Sequence, residues 1–562
     1  ATCAAPAAPA DDASGLLQLG AAPRGGSRHE WADPIPEAAA AADAPRTMQT
    51  GQPSNYTICD RVGAKAWLTE QFVSYLESRF GIFIESSMNS LEVPEISGVK
   101  MGFGYSLNDI KIENVTVQNY SLSLMPGVGL KMKIVGVGAN ISGDYRVKGE
   151  AWWNPLQTSG SVTASLVPSE TSLEAHLEAF LDPVGAPVIK VKDFFADIEV
   201  SDLKVRGSIL SAVIELLASI FNGILHPVLQ NVLESKLHEM IEQKIDKALA
   251  GFEFLMPLPL PAPYDSLFIS FQPCSLETTA EYFAIGLRGE VFNAKNASYR
   301  YPADPLPLPE KPPPHAGGTM LALAMTKWIV NSALWELEKD GMFKQTITSE
   351  MLPPNALFKL DTWSMSSLVP SWAFKFPPSP VTLEVEADGA PKVDLANGDI
   401  SLAAPSRVTM NTVEHNTTKM AAKFEVPLSG DVRFGFAPYA ADQQKAWMNI
   451  EHIGFTPVKE VASNVGWLTV SAMATVMQAT LGTMVLPWIN ARLNAGFPLP
   501  EAHGIGLANT TVRITDIFTV SSDVTWNLTE TINHFFGGAA GMLKAMKGSG
   551  LQVGQGLSPA NI

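Results

Sequence analysis

From Tyr105 onward the chain alternates apolar and polar residues over lengths that suit β-strands. The alternation runs through Tyr105–Val117 and Tyr120–Leu124, after which Val128, Leu130, Met132 and Ile134 point one way. Farther on, Leu173, Ala175, Leu177, Ala179 and Leu181 share one face, and Glu174, His176 and Glu178 share the other. Period two over such lengths predicts strands of ~30 Å with one dry and one wet face. A helical period brackets these strands. Trp67, Leu68, Phe72, Val73, Leu76 and Phe80 follow it within 58–80, and the apolar residues from Ile209 to Leu249 follow it again. Pro227 is expected to kink or split the second run near His226.

The Pro-rich run Met256 to Pro263 reads as an extended linker closing a first unit. A second unit then repeats the plan. Tyr282–Phe292 is a predicted strand, Pro302–Pro314 a Pro-rich loop, and Leu321, Leu323, Trp328, Ile329, Ala333, Leu334 and Leu337 mark a helix. Val381, Leu383 and Val385 alternate with Thr382, Glu384 and Glu386, further strands run to Phe455, a long helix spans 461–495, and a last strand runs from Gly506 to Val520. Two rounds of helix, strands and long helix predict an internal structural repeat. The ends differ. Residues 1–54 are rich in Ala, Pro and Gly and cannot bury enough surface to offset their ordering entropy. Residues 529–562 are Gly-rich and have little periodicity, which predicts a mobile tail.

Composition sharpens this picture. Hydrophobic residues make up 46% of the chain and charged residues 17%, against roughly 25% charged in an average soluble domain. A chain of 562 residues accommodates two large units of ~200–250 residues. The net charge of −17 argues against nucleic acid as a partner and against strong electrostatic attraction to anionic membranes. Val465 to Leu486, the most apolar long run, is broken by Thr469, Ser471, Thr475, Gln478, Thr480 and Thr483, so it reads as a core helix and not a membrane span.

Eight Asn-x-Ser/Thr sequons occur, at Asn55, Asn114, Asn119, Asn140, Asn296, Asn416, Asn509 and Asn527. Together with a first residue that is Ala, they predict a secreted or lumenal glycoprotein whose signal peptide has been removed, though a trimmed chain accounts for the missing Met equally well. In an oxidising compartment, three cysteines give one disulfide and one odd thiol. Cys59 and Cys274 are the expected pair, because Cys3 falls in the low-complexity tail and is left for pairing between chains. No Gly-x-Ser-x-Gly elbow, His-Glu-x-x-His pair, Cys-x-x-Cys or phosphate loop occurs, and His226 and His238 lack metal-ligand spacing. The expectation is a protein that is not an enzyme and needs no metal or cofactor.

The wording of several stretches then points to a family. Met484-Val-Leu-Pro-Trp-Ile-Asn-Ala-Arg-Leu-Asn-Ala-Gly-Phe-Pro-Leu-Pro500 is an apolar helix end with a Gly stop and a Pro-bracketed exit. It resembles the end of the long C-terminal helix in the family of bactericidal/permeability-increasing, lipopolysaccharide-binding and cholesteryl ester transfer proteins. Leu124–Lys131, Asn140–Gly143, Gly289–Phe292, Gly341–Phe343 and Met351–Pro353 fall in that family's order, so the likeness covers about residues 58–525. It implies an α+β fold of two elongated barrels, each a twisted antiparallel sheet wrapped around a long helix, joined by a central sheet in a boomerang-like whole. On that plan, 1–54 is a disordered or processed tail, 55–255 the N-terminal barrel, 256–280 the linker and central sheet, 281–528 the C-terminal barrel and 529–562 a tail. Two features depart from the family. The usual disulfide is missing, since Val188–Lys192 and Leu237–Lys244 contain no Cys. The tip loop Asp144–Pro155 offers only Arg146 and Lys148 against Asp144 and Glu150.

The resemblance implies a lipid-binding and lipid-transfer protein that holds phospholipid-like acyl chains in apolar tubes. Its candidate contacts are Leu217, Phe221, Ile224, Leu225, Val228 and Val232 in the first unit. In the second they are Val470, Met473, Val476, Met477, Leu481 and Val485, with methionines suited to variable chains. The same stripes equally suit an ordinary helix core. Trp152 and Trp153, at a predicted hairpin end, are the candidate residues for transient membrane contact. The alternatives are recognition of microbial envelopes through lipopolysaccharide, which predicts a cationic tip, and a structural extracellular scaffold.

Overall fold

The computed structural model describes residues 59–526 apart from 79–92, 101, 150–155, 184, 208–210, 221–222, 224–225, 239–253, 259, 261, 263, 297–299, 315–317, 353–358, 397, 416, 441–442, 456, 467–469, 472–473, 475–476, 479–481, 483–485 and 499–504. The fold is α+β, and its strands pair antiparallel throughout the described ladders.

In the N-terminal half, the alternation read from the sequence builds a seven-stranded sheet. Its central strands are Phe103–Met125 and Gly129–Gly149, flanked by Gln157–Leu166 and Ser172–Leu181. Leu173, Ala175 and Leu177 are buried, whereas Glu174, His176 and Glu178 lie on the more open face. The dry face packs on two helices, Ser211–Ile220 and His226–His238, through Val213, Leu216, Leu217, Ile220 and Leu229. Pro227 is the second residue of the later helix, where its missing N–H costs nothing. Asp109 and Asn114 take left-handed φ of 51° and 55° where the long strand pair changes register. Each marks a bulge that bends the strand around the helices.

The C-terminal half repeats the arrangement with an eight-stranded sheet running from Lys344–Ile347 through Val381–Ala387, Asp399–Glu414, Thr417–Ala440 and Gln443–Phe455 to Phe497–Pro498. Its core holds Leu383, Val408, Met410, Phe424 and Trp372, with Met477 from the helical segment packed among them. Helix Leu486–Ala495 stops at Gly496, whose φ is +72° and where a Cβ would collide with the Ala446 carbonyl oxygen. The Gly stop and Pro-bracketed exit therefore do what the sequence pattern predicts.

A central six-stranded sheet draws on both halves, in the order Pro273–Thr278, Tyr282–Leu287, Ala64–Thr69, Leu321–Met325, Phe518–Trp526, Ile505–Ile514. It extends well beyond the 256–280 segment assigned to it from the sequence, because its partners come from distant parts of the chain. Several element assignments change for the same reason. Ala64–Thr69 is a strand, and only 70–78 of the predicted 58–80 helix is described as helical. Leu321–Met325 is a strand with Ala322 and Ala324 buried, and the helix starts only at Trp328. Lys459–Ser463 pairs with Thr417–Ala440 and is not helical. The strand predicted from Gly506 to Val520 is two strands, Ile505–Ile514 and Phe518–Trp526. Tyr282–Phe292 is also broken, into Tyr282–Leu287 and Glu290–Asn293, at Gly289 with φ +63°. Leu255–Pro257, inside the Pro-rich linker, pairs with Leu267–Ser270.

Helix Trp328–Lys339 packs against Glu290–Asn293 and carries Glu336, which is only 4% exposed. Beside it, Arg300 clasps Glu290 at 2.6 Å and Asp60 at 3.1 Å. Asn331 pins Val393 from both sides, donating to its carbonyl at 3.1 Å and accepting from its N–H at 2.7 Å.

Candidate functional site

Between the N-terminal sheet and helix His226–His238 lies a small, partly open apolar pocket. Ile112 and Val115 reach it from the strand Phe103–Met125, and Val137 and Ala139 from its partner Gly129–Gly149. Leu166, Leu173 and Ile198 close the sheet side, while Leu229 and Leu233, one turn apart, close the helix side. The exposed walls are wholly apolar. The polar residue on the lining, Thr171, has its hydroxyl engaged, accepting from the Glu199 N–H at 3.4 Å. Its carbonyl accepts from the Gly136 N–H at 3.0 Å. No unsatisfied donor or acceptor among the described lining residues thus calls for water, and aliphatic cavities of this kind stay dry.

The opposite face of the same sheet has another character. Lys111, Ser142, Thr163 and Lys204 are successive register partners across four strands, and Asp144, Ser161 and Arg206 form the next row. Arg146 lies between Ser106 and Ser159, and Lys148 between Gly104 and Gln157. All five cations are exposed, whereas Tyr145 and Val147 between them are buried on the inner side. None of the five is ion-paired among the described residues, and Asp144 is the one carboxylate in these rows. Lys131, on the same sheet, is by contrast matched: it meets Glu174 at 2.6 Å, and its hydrogen bond is the main cause holding that carboxyl below its usual range. The tip loop alone offered Arg146 and Lys148. Strand register adds Lys111, Lys204 and Arg206, which no local motif could reveal.

The predicted lipid contacts distribute unevenly. Leu217 is fully buried in the helix–sheet core, and Val228 and Val232 are partly buried against it. The pocket is lined not by these two valines but by their neighbours Leu229 and Leu233. In the second unit Met477 is buried and Val470 half-buried. Phe221, Ile224, Leu225, Met473, Val476, Leu481, Val485, Trp152, Trp153 and Cys3 lie outside the described residues. Cys59 and Cys274 form a disulfide. The sequon residues Asn114, Asn119, Asn140, Asn296 and Asn509 are all exposed, while Asn55, Asn416 and Asn527 lie outside the described residues. No described helix is long and apolar enough to cross a membrane.

Comparison with known proteins agrees with this architecture. Residues 76–248 match the N-terminal domain of the LBP / BPI / CETP family, and residues 265–526 match its C-terminal domain. A bactericidal permeability-increasing protein of Sebastes schlegelii is 23% identical over 481 residues, covering 83% of this chain and 96% of the relative. A lipopolysaccharide-binding protein of Mus musculus is 24% identical over 452 residues, covering 79% and 89%. Among solved structures, the crystal structure of lipopolysaccharide binding protein is similar, with a TM-score of 0.49, 19% identity and coverage of 83% of this chain and 99% of that one. With two domain models spanning most of its length, the chain belongs to the LBP/BPI/CETP family, a family of binding and transfer proteins and not of enzymes.

Proposed function

We propose that the protein is a secreted or lumenal lipid carrier that holds the acyl chains of a phospholipid-like lipid between the N-terminal sheet and helix His226–His238. The observation that carries this reading is the small pocket whose walls are wholly apolar. Burying apolar surface there is favourable by roughly 25 cal/mol per Å², so an acyl chain is the guest its chemistry fits. The bound lipid takes the place of a cofactor. Val470 and Met477, with the neighbouring residues of their helix, are proposed as the wall of a second compartment, by analogy with the internal repeat. Trp152 and Trp153 remain proposed membrane contacts, and the exposed sequon residues are proposed glycan sites. Uptake of pyrene-labelled phosphatidylcholine tests the reading. Saturable uptake supports it, and the absence of uptake contradicts it.

A second reading has its own observation. The band Lys111, Arg146, Lys148, Lys204 and Arg206 is an unneutralised cationic face on a chain of net charge −17. Such a face suits the phosphates of an envelope glycolipid such as lipopolysaccharide. Titration with lipopolysaccharide in competition with phosphatidylcholine separates the two. Preference for lipopolysaccharide that disappears on replacing the band supports recognition of envelopes.

A further inference from the structure

Residues 361–380 leave the C-terminal sheet and return to it through a clamped neck. Asp361 forms a bridge with Pro380. The Val381 N–H donates to the Leu360 carbonyl at 2.9 Å, and the Thr362 N–H donates to the Ser379 carbonyl at 3.0 Å. The Ser379 N–H returns a bond to the Thr362 hydroxyl at 2.9 Å. Two short helices, Thr362–Leu368 and Ser371–Lys375, fill the loop and pack on each other. Asp361 caps the first, its carboxylate accepting from the Ser364 N–H at 2.6 Å. Met365, Val369, Trp372 and Phe376 face inward and are buried in the C-terminal core.

The outer face presents the reverse pattern. Trp363 is 81% exposed and Phe374 is 88% exposed. Scattered exposed apolar residues are ordinary, but two large aromatics this open on two short helices packed together are not explained by folding. Two serine hydroxyls near Trp363 are already satisfied. The Ser366 hydroxyl donates to the Trp363 carbonyl and the Ser367 hydroxyl to the Ser364 carbonyl, both at 2.6 Å. This face can therefore leave water without orphaning those hydroxyls.

We infer that this platform docks onto a lipid surface, with Trp363 and Phe374 entering the interfacial layer of a bilayer that contains anionic lipid. Three observations select that occupant. Trp favours the headgroup level and is a common interfacial anchor. The chain carries −17 overall, yet the exposed charges that flank the aromatics in sequence are Lys359 and Lys375, while the one acid of the segment, Asp361, is engaged as a helix cap. A stable contact between copies buries at least ~1,000 Å², whereas two aromatic side chains supply roughly 300–500 Å², which suits a wedge in lipid. The inference rests on the lipid-carrier reading, for which a docking surface brings the carrier to its source.

Sedimentation of the full chain with mixed phosphatidylcholine and phosphatidylserine vesicles tests it, with bound lipid and thermal melting measured on the same samples. W363S/F374S is expected to bind vesicles about tenfold more weakly or worse, and W363F/F374W to bind as the wild type does. Both variants should melt and carry lipid like the wild type, because the substituted side chains are exposed. Wild-type vesicle binding by W363S/F374S overturns the inference. Loss of self-association in that variant with vesicle binding unchanged also overturns it and assigns the pair to a contact between copies. A wild type that docks through the pair but carries no lipid leaves the docking surface standing and sinks the carrier reading instead.

Discussion

Cys59 and Cys274 are joined by a disulfide across 215 residues of chain, with their Cα atoms 5.0 Å apart. Cys274 sits where the register between Pro273–Thr278 and Tyr282–Leu287 skips a residue, so a bulge frees it from the ladder. Cys59 precedes the central strand Ala64–Thr69. The link thus ties the entry of the described chain to the far edge of the central sheet. Closing so long a loop restricts the unfolded chain, and on the entropic model the bond contributes ~3–5 kcal/mol. C59S/C274S should lower the chemical-denaturation midpoint by a corresponding amount. An unchanged midpoint contradicts this role.

Glu336 provides a pH test of the buried helix Trp328–Lys339. Burial first, then the nearby Asp340 and Glu290, push its carboxyl from 4.5 up to about 7, with Lys339 opposing them. Its Oε1 has no hydrogen-bond partner among the described residues. The folded state therefore favours the neutral acid. Its stabilising effect is full below pH 4.5 and is lost as pH rises through about 7. E336Q should match the wild type in acid and be more stable near pH 8, by at most about 3 kcal/mol. Urea unfolding at the two pH values checks the sign, and equal stability at both contradicts the assignment.

The basic band predicts a salt-sensitive component of binding to anionic vesicles. The tip loop by itself holds only Arg146 and Lys148. Register places Lys204 in the row of Ser142 and Arg206 in the row of Asp144, each across one intervening strand. Raising salt from 0.1 M to 1 M shortens the Debye length from ~10 Å to ~3 Å. Wild-type binding should weaken over that range, and R146A/K148A/K204A/R206A should bind more weakly at low salt with a flatter dependence. An identical salt dependence in the two proteins contradicts the band.

Filling the pocket should separate lipid carriage from folding. Ala139 is 6% exposed and lines the cavity. A139F puts a ring into the space proposed for acyl chains, at a stability cost of roughly 1–3 kcal/mol if the fit is imperfect. Phospholipid uptake should fall at least tenfold while the protein remains folded by circular dichroism. Undiminished uptake by folded A139F places the lipid elsewhere.

What the chain disclosed by itself was whatever depends on local period. The alternation at Leu173, Ala175 and Leu177 correctly marks the dry face of its strand. Gly496 ends its helix as the pattern requires. Leu321–Met325 misled because Leu–Ala–Leu–Ala suits a helix by propensity, and it becomes a strand only between two distant partners, Ala64–Thr69 and Phe518–Trp526. Helical spacing located the helix that lines the pocket but not its azimuth. The apolar stripe is wide, and docking against the sheet turned Leu229 and Leu233 into the pocket in place of Val228 and Val232. The basic band was illegible because its members lie on three strands brought together by non-local register.

The central claim is that this chain carries lipid. Native mass spectrometry of the purified protein, paired with solvent extraction and lipid analysis, tests it most directly. The prediction is a mass excess over the denatured chain that disappears on extraction and is recovered as a two-chain, phospholipid-like lipid in at least stoichiometric amount. A native mass equal to that of the denatured chain, with no lipid in the extract and no uptake when phospholipid is supplied, contradicts it.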